Sequence, residues 1–218
     1  METLTEGNIA CGHRILVVGI GPGHPDYIVP TARTAIEKAK VLIGGHRALE
    51  QFGHAGQEQM AITRDIPGVL AFVRERLREQ EVVVMVSGDP GYFSMLDALR
   101  REFPMECIQV IPGISAMQLA FSRLALPWHE ASLLSFHGRV PEAEKLRYEE
   151  GTILGMLTDG EYDSHSIPEL LMRKGWPKNA ELAICARLSY EDEQVLRTTL
   201  GQALALPPVK HGILIVQG

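Results

Sequence analysis

Three short stretches of the sequence combine glycine, proline and small polar residues in a way that suits the binding of a small ligand. They are GIGPGHPDY at residues 19–27, SGDPGYFS at residues 87–94 and IPGISAMQ at residues 111–118. Glycine lets a backbone approach a ligand closely, and proline stiffens the turn around it. Each stretch follows an apolar run, and open α/β sheets bind ligands at the carboxyl ends of their strands. We therefore expect the three loops to form one rim of a single site, the alternative being three unrelated turns.

The first loop differs from the two common glycine-rich phosphate loops. A dinucleotide-binding turn needs G-x-G-x-x-G, but counting from Gly19 the third glycine position is His24, and Pro22 interrupts the segment. The acidic residue expected about 20 positions later is also missing, because VLIGGH occupies that region. A P-loop would need G-K-[ST], which this stretch lacks. The loop is thus neither, and a ligand contact and a purely structural turn both remain open.

The sequence shows no pattern typical of a metal site or of a catalytic nucleophile. Cys11, Cys107 and Cys185 lie far apart without a C-x-x-C pair, which argues against a structural zinc site and a disulfide framework. Cys107 and Cys185 lie in apolar segments, so we predict two buried free thiols. Because no Ser-His-Asp or Cys-His motif is evident, we assign no catalytic nucleophile and no metal ligand.

Alternating strands and helices position the three loops in the first half of the chain. Helical periodicity and short β-branched runs indicate this alternation, which predicts an α/β fold with a mainly parallel sheet. The predicted strands are Arg14–Ile20, Val41–Gly44, Glu81–Gly88 and 107–113, and the predicted helices are Pro30–Lys40, Ile66–Gln80, 94–103 and 115–124.

The pattern changes beyond about Leu124, where apolar segments follow one another with fewer helices between them. A helix is expected mainly around Ser166–Lys174, so we predict a second sheet with more antiparallel pairing. The predicted organisation is a flexible arm at residues 1–12, an N-terminal α/β domain at residues 13–112 and a C-terminal α/β domain at residues 113–218.

Composition and net charge limit the kinds of molecule that this protein is expected to bind. Hydrophobic residues make up 45% of the chain and charged residues 22%, an ordinary globular balance. A net charge of −6 argues against a nucleic-acid surface, which needs clustered Lys and Arg. The acidic start METLTEGNIACG has no apolar signal-peptide region, and no apolar run approaches the roughly 20 residues of a membrane span. We expect a soluble, cytoplasmic protein without nucleic-acid or membrane partners.

The stretches VGIGPGHPDY, SGDPGYFSM and IPGISAMQLAFSRLAL together resemble the tetrapyrrole (corrin and porphyrin) methyltransferases, from about His13 to Gly218. GHRALEQF at residues 45–52, SGDPGYFS and LLSFHGR at residues 133–139 resemble the precorrin-6Y/cobalt-precorrin-7 branch. The resemblance implies a two-domain tetrapyrrole methylase fold, with a mixed C-terminal sheet and a cofactor cleft between the domains. It also implies methylation of carbon 5 of a (cobalt-)precorrin in cobalamin biosynthesis. Methylation at another ring carbon, or ligand binding without catalysis, is the alternative.

The same resemblance implies which residues contact S-adenosylmethionine and its product S-adenosylhomocysteine. Asp89 could accept a hydrogen bond from the amino group or ribose of the cofactor, or form an Asx turn before Pro90. Leu188 matches a family contact, but the chain departs from the family's pattern around it, because CARLSY stands where Glu-Asn-Leu is common in this branch. The implied cofactor contacts are Pro22, Ser87, Gly88, Asp89, Tyr92, Ser115, Ala116, Met156 and Leu188.

A precorrin substrate implies many carboxylates, so cationic side chains are candidates for binding it. Arg47 and Arg139 could pair with carboxylates through two hydrogen bonds each. His24, His46 and His137 are candidates for proton handling or carboxylate contact, although a lone histidine is often structural. The enzyme would mainly hold the two reactants in register and exclude water.

The resemblance also implies partners. We expect a homodimer, the commonest oligomeric state. Methylation of carbon 15 and decarboxylation are expected from a separate protein, or from a domain beyond Gly218, because no second methyltransferase motif is found in these residues.

Overall fold

The computed structural model describes residues 12–218, so Cys11 and nearly all of the predicted arm lie outside the described residues. The chain divides into two compact units, the first ending at Ser115 and the second spanning Ala116–Gly218. Each unit is built on one five-stranded sheet. The predicted α/β fold with a parallel first sheet and a mixed second sheet is therefore confirmed.

The first unit contains a fully parallel sheet in the strand order β3-β2-β4-β1-β5. Its most apolar strand, β4, is buried at all five residues, as expected for a central parallel strand covered on both faces. The strands are β1 (Ile15–Gly19), β2 (Val41–Gly44), β3 (Glu58–Ala61), β4 (Val82–Val86) and β5 (Ile108–Ile111), and the helices are α1 (Pro30–Lys38), α2 (His46–Phe52), α3 (Ile66–Arg76) and α4 (Leu96–Glu102), with 3-10 turns at Pro25–Tyr27 and Met105–Cys107.

Helices cover both faces of this first sheet. Alternate residues of β1 enter two separate cores, since side chains along a strand point to opposite faces. Val17 packs with Val73 of α3 and Leu99 of α4 in one core. Val18 packs with Ile36 of α1 in the other core, which also includes Ala48 of α2.

The second unit contains a mixed sheet in the strand order β6-β7-β10-β8-β9, parallel between β6 and β7 and antiparallel elsewhere. Its main core packs one face of this sheet against α6 and α7. The strands are β6 (Ser132–Ser135), β7 (Ile153–Leu157), β8 (Glu181–Ala186), β9 (Gln194–Thr199) and β10 (Ile213–Gln217), and the helices are α5 (Ala116–Leu124), α6 (Ser166–Arg173) and α7 (Leu200–Ala203), with a 3-10 turn at Ala143–Leu146.

One of the two cysteine predictions is wrong. Cys185 is a buried free thiol, and burial raises its pKa to about 12, so it stays protonated at neutral pH. Cys107 is disulfide-bonded instead of free. The error arose because separation along a sequence places no limit on distance in the folded chain. None of the helices among residues 12–218 has both the length and the apolar character needed to cross a bilayer.

Candidate functional site

The strand order of the first sheet has a switch point at the carboxyl ends of β1 and β4. The two strands are parallel neighbours, with Gly19 opposite Val86. After β1 the chain enters α1 on one face of the sheet, whereas after β4 it enters α4 on the opposite face. Loops that leave neighbouring parallel strands towards opposite faces mark the usual ligand position in such sheets. The first and second glycine-rich loops lie at this position.

Glycines bring the three glycine-rich loops into direct backbone contact. Gly21 and Gly88 exchange two backbone hydrogen bonds, with N–O distances of 3.3 Å and 2.8 Å. A Cβ placed on Gly19 would lie 2.6 Å from the carbonyl oxygen of Gly88 and 2.7 Å from the nitrogen of Gly113. Side chains would not fit at this junction, so the glycines of the three loops are required for the loops to meet. The structure thus assembles them as the sequence predicted.

The carboxylate of Asp89 connects the second loop to the third. Its Oδ1 accepts a hydrogen bond from the backbone N–H of Gly91 at 2.8 Å, which is the Asx turn considered as an alternative. Its Oδ2 accepts from the backbone N–H of Gly113 at 3.0 Å. Asp89 therefore has a structural role in the rim, and a hydrogen bond to the cofactor stays a prediction.

The other residues of the three loops that are predicted to contact the cofactor lie within a few positions of these glycines in the sequence. Pro22 lies between Gly21 and Gly23, whose φ angles of +78° and +150° suit glycine. Ser87 is exposed directly after β4, and Ser115 is buried at the end of the unit. Ala116 is the first residue of α5 in the second unit.

The hydroxyl of Tyr92 is buried and has no hydrogen-bond partner among residues 12–218. Burial raises the pKa of this phenol, so it remains a protonated donor. Its ring packs edge-to-face on Phe93 at a centroid distance of 4.8 Å. An unpaired buried donor costs about 1–3 kcal/mol, so this hydroxyl would gain from an acceptor brought by a ligand.

The two predicted cofactor residues of the second unit differ in their surroundings. Met156 is 0% exposed and lies within the main core, so its side chain presents no surface to a ligand in this unit. Leu188 is buried just after β8, between Arg187 and Ser189, whose φ angles are +54° and +73°. The contacts of Met156 and Leu188 with the cofactor both remain predictions from the resemblance.

The histidine and arginine candidates occupy three separate segments. His24 accepts a hydrogen bond at Nδ1 from the backbone N–H of Asp26 at 3.3 Å, which caps the 3-10 turn and gives it a structural role. His46 and Arg47 are exposed at the start of α2. His137 and Arg139 are exposed after β6 in the second unit. Exposure leaves the last two segments accessible to a large anionic substrate.

Asp159, which sequence reasoning missed, shapes the segment that contains His137 and Arg139. Its Oδ2 accepts from the backbone N–H of Gly138 at 3.0 Å, and its Oδ1 accepts from those of Glu161 and Tyr162 at 2.8 Å and 2.7 Å. The hydrogen bond from Gly138, with the other two, lowers the pKa of Asp159 to about 2. The D-G pair at residues 159–160 was an available turn signal.

This pKa gives a pH-dependent prediction. The folded pKa of Asp159 lies below its ordinary value of 3.8, so its stabilising effect is complete above that value and is lost as the pH falls toward about 2. We expect Asp159→Asn to flatten the acid limb of a stability curve measured by urea denaturation at a series of pH values. Equal acid slopes for Asp159→Asn and the parent chain would contradict the assignment.

Together, the α/β topology and the glycine-rich loops at a strand-order switch indicate a binding site for a small ligand in the first unit. Residues 14–204 match the family model described as tetrapyrrole (corrin/porphyrin) methylases. The chain belongs to this family.

Two curated relatives extend the comparison. The chain is 32% identical to the cobalt-precorrin-7 C(5)-methyltransferase of Salmonella typhimurium, over 83% of this chain and 88% of that protein. It is 29% identical to the precorrin-6Y C(5,15)-methyltransferase [decarboxylating] of Sinorhizobium sp, over 83% of this chain but 44% of that protein. The chain therefore matches nearly the whole of the first relative and less than half of the second.

Two solved structures have the same fold. A cobalamin-biosynthesis precorrin-6Y methylase from Archaeoglobus fulgidus aligns with a TM-score of 0.71 at 25% identity, covering 94% of this chain and 98% of that one. A uroporphyrin-III C-methyltransferase from Thermus thermophilus, solved with S-adenosylhomocysteine, aligns with a TM-score of 0.71 at 21% identity, covering 93% and 91% of the two chains. The second similarity concerns the fold alone.

Proposed function

We propose that this chain transfers a methyl group from S-adenosylmethionine to carbon 5 of a cobalt-precorrin or precorrin in cobalamin biosynthesis. The observation that supports this most directly is the 32% identity to a C(5)-methyltransferase over 88% of that relative's length. The glycine junction at the strand-order switch also supports the proposal, because open α/β sheets bind small ligands at such points.

The rim of the first unit fits S-adenosylmethionine by its chemistry. A sulfonium cofactor with an apolar adenine needs close backbone approach, carbonyl oxygens and apolar surface, and it needs no phosphate-binding nest. The junction of Gly19, Gly88 and Gly113 presents backbone without side chains. The unpaired hydroxyl of Tyr92 offers a donor for an acceptor on the ligand. The residues present therefore fit this cofactor.

The bound cofactor would supply an electrophilic methyl group to a nucleophilic ring carbon. The chain's own residues would orient the two reactants and exclude water, which lowers the barrier without a protein nucleophile. Pro22, Ser87 and Asp89 would orient the cofactor from the first two loops. The backbone hydrogen bonds between these loops would hold the loops, and therefore the cofactor, in one orientation before the reaction.

Substrate binding would depend on cations that are accessible on each unit. Arg47 at the start of α2 and Arg139 after β6 are exposed and would pair with substrate carboxylates. His46 and His137 adjoin them and are secondary candidates.

Formation of a homodimer and a cytoplasmic location stay predictions from the sequence.

The test is methylation by the purified 218-residue chain without any partner. Incubated with S-adenosylmethionine and cobalt-precorrin-7, it should yield a product heavier by one methylene unit, with the new carbon at position 5 by NMR. We expect no carbon dioxide release, because the match covers 44% of the decarboxylating relative and 88% of the C(5) relative. A methyl group at another ring carbon, or decarboxylation by this chain alone, would refute the proposal. Binding without turnover would favour a carrier or sensor.

A further inference from the structure

We propose that Arg123 and Glu193 are positioning residues for the methyl-transfer reaction, and that their ion pair holds the loop containing Leu188 in its binding conformation. This inference rests on the proposed function, because Leu188 is a predicted cofactor contact. The loop is defined here as residues 187–193, between β8 and β9.

The backbone of this loop adopts a conformation that its residue types do not favour. Arg187 has φ of +54° and Ser189 has φ of +73°, one on each side of Leu188. Non-glycine residues in the left-handed region are uncommon, and they persist when surrounding contacts impose them. Something outside the local sequence must therefore hold Leu188 in place.

Arg123 of α5 provides this external constraint through the carboxylate of Glu193, the last residue of the loop. Oε1 of Glu193 accepts a hydrogen bond from Nε of Arg123 at 2.5 Å, and its Oε2 accepts from Nη2 of the same guanidinium at 3.3 Å. Oε2 also accepts from the backbone N–H of Ser189 at 2.7 Å. The Arg123 hydrogen bond lowers the pKa of Glu193, so the carboxylate is ionised at neutral pH. One side chain thus joins the centre of the loop to the last turn of α5.

Helix α5 connects this loop to another predicted part of the site. The helix starts at Ala116, directly after Ser115, and both residues are predicted to contact the cofactor. Arg123 lies in the last turn of the same helix. A single rigid element therefore has a predicted cofactor contact at its start and, through Glu193, holds the predicted contact at Leu188. Displacement of the loop would misplace Leu188 relative to the start of α5.

A second ion pair in the loop serves as an internal comparison. Nε of Arg187 donates to both carboxylate oxygens of Asp192 at 3.1 Å and 2.9 Å. Both side chains are more than half exposed, at 52% and 62%. Exposed pairs contribute little to stability. This pair also lies within the loop itself, so it does not connect the loop to α5.

The experiment compares Glu193→Gln with Asp192→Asn in the full chain, using calorimetry with S-adenosylhomocysteine and steady-state kinetics. Glu193→Gln keeps the side-chain size but removes the charge that holds Arg123. We expect it to weaken S-adenosylhomocysteine binding by about tenfold and to raise KM for S-adenosylmethionine, with KM for the precorrin unchanged. Asp192→Asn should bind as the parent chain does.

A double-mutant cycle with Arg123→Met separates positioning from general destabilisation. If the pair acts as a unit, Arg123→Met should weaken binding to the same extent as Glu193→Gln, and the double variant should be no weaker than either. Parent-like affinity of both single variants would overturn the inference and leave the proposed function intact. Additive losses, or an equal rise in both KM values, would also overturn it. Failure of the parent chain to bind S-adenosylhomocysteine would overturn both proposals.

Discussion

Adding one methyl group at Gly19 should remove most cofactor binding. The Cβ of a Gly19→Ala variant would lie 2.6 Å from the carbonyl oxygen of Gly88 and 2.7 Å from the nitrogen of Gly113. Both contacts are with backbone, so no flexible side chain can move away, and the three glycine-rich loops must separate. We expect affinity for S-adenosylhomocysteine to fall by about 100-fold, equivalent to about 2.7 kcal/mol, in calorimetry.

A matched glycine in the same unit controls for the substitution itself. Gly45 precedes α2 at a φ of −61°, and a Cβ there would meet no atom within 4 Å. Gly45→Ala should therefore retain the parent affinity for S-adenosylhomocysteine. Circular dichroism should show that both variants keep their helices. A folded Gly19→Ala variant with parent-like affinity would mean that the junction does not form the cofactor site.

Truncation of Phe136 should produce the largest loss of stability among the changes considered. Phe136 is 0% exposed in the main core of the second unit, its ring lies 5.5 Å from that of Tyr162, and its N–H donates to Leu157 O at 2.9 Å. Phe136→Ala leaves a cavity that these fixed neighbours can fill only in part. We expect the free energy of unfolding, measured by urea denaturation, to fall by about 3–5 kcal/mol.

The position of Phe136 in the chain adds a functional consequence. His137 and Arg139 follow directly, so loosening their anchor should also raise KM for the precorrin in Phe136→Ala protein that remains folded. Val140, at the other end of this segment, is 46% exposed. Val140→Ala should change the free energy of unfolding by less than about 0.5 kcal/mol. Similar losses for the two variants would show that the core contact of Phe136 is unimportant.

The fold was predictable where apolar runs are long or strongly β-branched. VLIG forms β2, buried at all four residues, with the predicted ends. Strand β3 was missed because EQMA is an edge strand, with Glu58 and Gln59 exposed, and has little apolar pattern. Helix α2 was missed because a short segment after two glycines lacks the length that periodicity requires. Local patterns therefore identified buried elements and failed at short exposed ones.

The candidate site was predictable in its backbone and not in its side-chain connections. Glycine and proline spacing indicated the three loops, since their conformations depend on local residue type. The hydrogen bond from Gly113 to Asp89 and the pair of Arg123 with Glu193 join residues 24 and 70 positions apart. Such contacts depend on the tertiary fold, which no local pattern encodes. The unpaired hydroxyl of Tyr92 is likewise visible only after burial is known.

The chain leaves β1 and β4 towards opposite faces of the sheet. This arrangement separates evolutionary changes in the cores from those on the loops. The switch point is a property of the strand order, so conservative substitutions in the cores on either face of the sheet should leave it in place. Residues on the surrounding loops can vary while the supporting scaffold persists. Selection for a new ligand would then act on rim residues such as Ser87 and Pro22, whereas Gly19, Gly88 and Gly113 would stay fixed.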